Sequence, residues 1–97
     1  MIYYQAGFER RYRKLSLDQR SHVDRAVLRF EAAVGRPHAH GGIGLRPFGR
    51  YLEFRAGLDL RMLAVAENGD FFLMFVGNHD QVRAYVRDNP WRFPGTQ

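Results

Sequence analysis

YLEFRAGLDLRMLAVAENGDFFLMFVG, residues 51–77, decides the fold, because its apolar residues recur at the two-residue period of strands. Over residues 51–56, Leu52, Phe54 and Ala56 point one way, and Tyr51, Glu53 and Arg55 the other. Over 58–66, Leu58, Leu60 and Met62 alternate with Asp59 and Arg61. Asn68-Gly69 is the strongest short signal for a hairpin. Residues 70–77, DFFLMFVG, are almost continuously apolar, as in a strand central to its sheet or covered on both faces. Three strands in a meander are therefore expected. The face carrying Tyr51, Glu53, Arg55, Asp59 and Arg61 mixes acids with arginines, so it reads as an open and useful surface.

Downstream, residues 78–89 (NHDQVRAYVRDN) read as a short helix. Asn78 is its N-cap, Gln81 stands at N3, and Val82, Tyr85 and Val86 share a face. Asn89-Pro90 ends it. Upstream, Val23, Ala26, Val27, Phe30 and Val34 form one stripe of an amphipathic helix over 16–34. Ser16 and Gln19 have the capping-box spacing at its start, and Gly35 and Pro37 stop it. FERRYRKL (8–15) reads as a shorter helix with a basic face, and residues 2–8 as a short strand. Residues 35–50 hold five Gly and two Pro and read as a loop. The resulting order, β-α-α-β-β-β-α, is an α+β pattern with the helices on one face of a small antiparallel sheet.

The chain of 97 residues forms one domain, 1–97, with a single modest core. It has no cysteine, which excludes a disulfide scaffold, a thiolate metal site and a thiol nucleophile. No apolar run approaches the roughly 18 residues of a membrane span. The N-terminus lacks the charge order of a signal peptide, so a cytoplasmic location is expected. The net charge is +5. Residues 1–50 carry ten basic and four acidic residues, and residues 51–97 carry five and six. Fourteen of the fifteen cations are arginine, whose guanidinium forks onto phosphate and stacks on bases. That balance suits RNA or an acidic protein; equally, it suits solvated helix faces.

Four stretches in order carry a resemblance: FERRYRKL (8–15), LRPFGRYLEFR (45–55), DLRML (59–63) and FVGNHDQVRAYV (75–86). Together they resemble the RelE/ParE superfamily of toxin–antitoxin toxins, over about residues 2–88. The ending G-N-H-D resembles the RelE-like translational repressors. The resemblance implies the RelE/ParE-like fold and a metal-independent endoribonuclease with no cofactor. Such a toxin cleaves mRNA in the ribosomal A site by 2′-hydroxyl attack and is neutralised by a cognate antitoxin. It would act as a homodimer or as a hetero-oligomer with the antitoxin, away from membranes.

This chemistry needs an acid for the leaving 5′-oxygen, cations for the phosphorane and a base for the 2′-hydroxyl. The resemblance gives the acid to His79, a residue type that exchanges protons near neutral pH, although a surface histidine beside a helix cap is the plainer reading. It gives the phosphate to Arg61, with Arg55 as a second cation. Glu53 is the candidate base, though such a glutamate also pairs readily with a neighbouring arginine. The strand lacks the lysines that some family members carry. Tyr85, six residues after His79, is a base-stacking candidate or a core tyrosine. Asp80 reads first, with Asn78 and Gln81, as part of the helix start, and secondly as a residue that orients His79. Arg10, Arg11, Arg13 and Lys14 form an expected RNA-contacting face of the first helix. His38 and His40 make too weak a pair for a metal site. Two rivals use the same features: a ParE-like gyrase inhibitor or degenerate toxin fold, and a plain RNA-binding domain.

Overall fold

In the computed structural model, which describes residues 1–34 and 43–90, the chain runs through eight elements. These are β1 (Ile2–Tyr4), α1 (Ala6–Arg13), α2 (Leu17–Val34), β2 (Arg46–Phe48), β3 (Tyr51–Ala56), β4 (Leu60–Glu67), β5 (Asp70–Gly77) and α3 (His79–Asp88). The sheet order is β1-β5-β4-β3-β2. The α+β architecture, with α1 and α2 on one face, is the one expected from sequence.

The turns follow the local chemistry. Asn68 and Gly69 both have positive φ, 53° and 83°, as a two-residue type I′ hairpin requires. Ser16 and Gln19 cap α2 reciprocally: Gln19 N donates to Ser16 Oγ at 3.1 Å, and Ser16 N donates to Gln19 Oε1 at 3.0 Å. The α2 stripe is buried at Val23, Ala26, Val27 and Phe30, with Ala33 added.

Four expectations are corrected. The first strand ends at Tyr4, and Phe8 is instead a buried residue of α1, one helical turn before Tyr12, on which its ring stacks. The sheet is mixed, because β1 pairs in parallel with β5, Ile2 opposite Phe71. The supposed loop contains β2, antiparallel to β3. Pro47 is tolerated there because β2 is an edge strand, and Gly49 (φ 61°) supplies the positive φ of a tight turn. Finally, β4 begins at Leu60, so Leu58 and Asp59 lie in the preceding turn and Leu58 is wholly exposed.

The continuous apolarity of β5 has a specific cause. The β4–β5 register slips: Leu63 pairs with Phe75 and Ala64 with Leu73, so Met74 is the extra residue of a bulge. Phe71, Leu73 and Val76 therefore join the core under α1 and α2. Phe72, Met74 and Phe75 join a second cluster under α3, with Tyr51, Leu63, Val65 and Val82. The sheet face read as open is thus partly covered by α3.

Candidate functional site

The centre of this face is a buried carboxylate. Glu53 lies on β3 between Arg46 of β2 and Leu63 of β4. Arg61, two residues from Leu63 on the same strand, shares its face. Glu53 is 1% exposed, and its Oε1 accepts from Arg46 Nε at 2.8 Å and from Arg61 Nη1 at 3.2 Å. Its Oε2 is buried with no hydrogen-bond partner among the described residues. An isolated charge is costly to bury, so the two guanidiniums make the buried carboxylate tolerable. They remain partly open to solvent, with side-chain exposures of 54% for Arg46 and 26% for Arg61. Two cations on one anion leave a net positive charge facing outward. Arg46 was missed in the sequence, because its signal, a cross-strand position opposite Glu53, appears only once β2 is known.

His79 begins α3. The capping box forms as expected: Gln81 N donates to Asn78 Oδ1 at 2.8 Å, and Asn78 N donates to Gln81 Oε1 at 2.9 Å. This fixes the chain direction at the end of β5 and presents the half-exposed His79 ring. His79 Nδ1 lies 3.3 Å from Asp80 Oδ1. Arg61 is opposite Gly77 in the β4–β5 register, two residues before His79. His79 and Arg61 therefore come from the same end of adjacent strands.

An aromatic floor adjoins them. Phe75 stacks on Tyr85 at 4.4 Å, and Tyr85 meets the edge of Tyr51 at 5.9 Å. The Tyr51 hydroxyl donates to Asn89 O, which ties the end of α3 to β3. Burial, reinforced by the neighbouring Tyr85, pushes the Tyr51 phenol well above the usual tyrosine range. Tyr85 itself is half-buried in this cluster.

The basic face of α1 divides. Arg10, Arg13 and Lys14 are exposed, but Arg11 is not part of that surface, which corrects the expectation. β1 pairs with β5 only as far as Leu73, which leaves the outer edge beyond it without a strand. Arg11 Nε donates to Val76 O on this edge, and its guanidinium lies 4.4 Å from the centre of the Phe75 ring. Arg11 thus satisfies a carbonyl where a strand is missing.

Arg55 is also elsewhere. Its Cα is opposite that of Arg61, but its guanidinium lies against Gly44 and lines a groove with His22, Arg25 and Arg29. The structure therefore assembles Arg61, Glu53 and Arg46, with His79 at the same end. It places Arg55 apart from them, whereas Lys14 lines a groove with Gly77, Asn78 and Gln81 at the start of α3. His38 and His40 lie outside the described residues, as do Trp91 and Phe93, the aromatics of the segment after Pro90 that read from sequence as folding over the core or docking on a partner. Among the described residues, no group of three or more His, Asp or Glu is placed to hold a metal.

The fold is shared with solved structures. The chain superposes on a copper-bound mutant toxin from Helicobacter pylori with a TM-score of 0.67, at 14% identity, over 84% of this chain and 96% of that one. The fold is that of the RelE-like toxins. A RelB–RelE antitoxin–toxin complex from Methanococcus jannaschii gives this RelE-like fold a second match, with a TM-score of 0.62 at 10% identity, over 86% of this chain and 96% of that one. By sequence, no protein-family profile and no curated protein matches. No described helix is long and apolar enough to cross a membrane.

Proposed function

We propose that the chain is the toxin of a toxin–antitoxin pair, an endoribonuclease that cuts mRNA on the ribosome and so inhibits translation. The observation that carries this reading is the pair of partly exposed guanidiniums, Arg61 and Arg46, held on one buried carboxylate, with Arg61 opposite Gly77, two residues before the half-exposed His79. In the reaction, the ribose 2′-oxygen attacks the adjacent phosphorus and the P–O5′ bond breaks. The products are a 2′,3′-cyclic phosphate and a 5′-hydroxyl. Arg61 and Arg46 brace the non-bridging oxygens as charge builds on them. His79 delivers a proton to the leaving 5′-oxygen, and Asp80 holds its other ring nitrogen. Phe75 and Tyr85 give a neighbouring base an aromatic surface. Glu53 is buried and engaged by both arginines, so we assign it to positioning them, and the 2′-hydroxyl proton leaves to solvent. Arg10, Arg13 and Lys14 add contacts to ribosomal RNA phosphates. The antitoxin, as in the RelB–RelE pair, is the partner that keeps the toxin silent.

The burial of Glu53 also favours a second reading, a toxin fold that acts by binding a protein such as gyrase without cutting RNA. One experiment separates the two. Wild type and His79→Ala are induced in a bacterial host and the new 5′ ends of abundant messages are mapped within minutes. Cleavage predicts frame-locked cuts in coding regions that vanish in the folded His79→Ala protein. Arrest with intact messages would overturn the nuclease reading.

A further inference from the structure

A second groove lies on the α2 side of the sheet, with a volume of about 320 Å³. Its walls carry His22, Arg25 and Arg29 from α2 and Arg55 from β3, over a floor of Ala26 and Ile43. We propose that this groove binds the phosphodiester backbone of RNA, independently of any cleavage at His79.

The charge arrangement is the first argument. Arg25 and Arg29 are separated by four residues and His22 precedes Arg25 by three, so all three project from one side of α2. Among the described residues, no carboxylate comes within 4 Å of Arg25, Arg29 or Arg55. Asp18 pairs with His22 at 3.5 Å, and Asp59 lines the adjoining cavity with His22, Gly57 and Leu58. The segment 35–42, which leads into Ile43, contains no acidic residue at all. Like charges at this spacing destabilise a helix in the absence of a ligand. A polyanion converts that repulsion into attraction.

The second argument is that the groove is pre-shaped. Gly44 and Gly57 both have positive φ, 60° and 67°. A Cβ on Gly44 would stand 2.8 Å from Arg55 Nε, and one on Gly57 3.2 Å from His22 Cγ. The two bare backbones let the guanidinium and the imidazole lie close against the protein. Arg55 thereby packs along the backbone at Gly44, which narrows the conformations it must give up on binding and lowers the ordering cost.

The third argument separates RNA from an acidic peptide. A peptide bound in extended form would add to the free edge of β3, but Arg55 N already donates to Ile43 O there. The groove thus offers guanidinium forks in place of a strand edge. Leu58, wholly exposed at the rim, gives a ribose or base an apolar surface to rest on.

The test uses the full chain and a short single-stranded RNA with 2′-O-methyl groups throughout, which cannot be cut by 2′-oxygen attack. Binding is followed by fluorescence anisotropy from about 50 to about 200 mM salt. Replacing Arg25 and Arg29 together by Gln keeps good helix formers on α2. Loss of two phosphate contacts should lower the slope of log K against log salt by about 1.4, at about 0.7 per phosphate. Across that salt range the wild type then loses about sevenfold more affinity than the variant. The pair Arg50→Gln and Arg87→Gln, also exposed, removes the same net charge away from the groove and should leave the slope unchanged. Three results would overturn the proposal: no RNA binding by the wild type, equal slopes for the two double variants, or displacement of the RNA by a glutamate-rich peptide at matched charge. Because the RNA cannot be cleaved, a failure here leaves the nuclease reading standing, and inactivity of the His79 site leaves this result unaffected.

Discussion

Replacing Glu53 by Gln removes the one negative charge that holds Arg46 and Arg61 together. Breaking a fully buried pair costs roughly 3–5 kcal/mol, because the partner's charge is stranded. Here both partners keep some contact with water, and Arg46 is 54% exposed, so its share is largely screened. Arg61, at 26% exposure, carries most of the loss. The Gln carbonyl can still accept one hydrogen bond, but its NH2 enters the position of Oε2, which has no partner. A charge-assisted hydrogen bond contributes about 1.5–3 kcal/mol, which gives a destabilisation of about 2 kcal/mol. For a domain of this size that lowers Tm by about 8–16 °C. Thermal and urea unfolding of wild type, Glu53→Gln, Arg61→Gln and the double variant measure it as a cycle. The expected coupling between positions 53 and 61 is about 1 kcal/mol or more, and RNA cleavage falls in both single variants at temperatures where they remain folded. If Glu53→Gln melts within about 2 °C of wild type with negligible coupling, the carboxylate is not what holds the clamp together.

Two further outcomes follow from the second cluster. The Tyr51 phenol stays protonated in the fold to higher pH than in the unfolded chain, which ionises near pH 10. The folded state then holds the extra proton, so stability falls as pH rises above about 10, and Tyr51→Phe should flatten that decline between about pH 8 and pH 11 in urea titrations. Its stability at pH 8 should be lower by about 1 kcal/mol, from the lost bond to Asn89 O; an unchanged alkaline slope would disprove the assignment. Gly77→Ala would set a Cβ 2.8 Å from Gln81 Oε1, 2.9 Å from Phe75 Cε2 and 3.1 Å from Arg11 Nη2. It should cost about 1–3 kcal/mol and loosen the α3 cap, seen as a lower urea midpoint; wild-type stability would show that the three neighbours yield freely.

The parts of the fold that were legible in the sequence are those set by local chemistry. Asn68-Gly69, the two capping boxes and the stripe on α2 depend on residues a few positions apart, and each forms as its spacing implies. The corrected parts depend on distant partners. Ile2 can be assigned to a parallel pair only when Phe71 is known to be its neighbour. Arg46-Pro47-Phe48 has little strand character of its own and becomes a strand by pairing with Tyr51–Glu53. The same holds for the candidate site. His79 and Arg61 were visible as residue types in suggestive positions. Arg46 was not, and neither was the diversion of Arg55 to another groove or of Arg11 to the edge of β5, because side-chain direction at strand ends is a tertiary property.

The parallel pairing of β1 with β5 orders events in time. The ribosome makes residues 2–4 well before the strand that receives them, Phe71–Leu73, which comes more than sixty residues later. Arg11 likewise waits for Val76, and the amino group of Met1 for Asp70. Closing so long a loop carries a large entropy cost before any contact returns it. β1 can therefore pair only after β5 has been made. A chain interrupted anywhere before β5 has no sheet for its N-terminal strand, no edge for Arg11 and no α3 to carry His79. For a protein proposed to attack translation itself, an unfinished copy is unarmed.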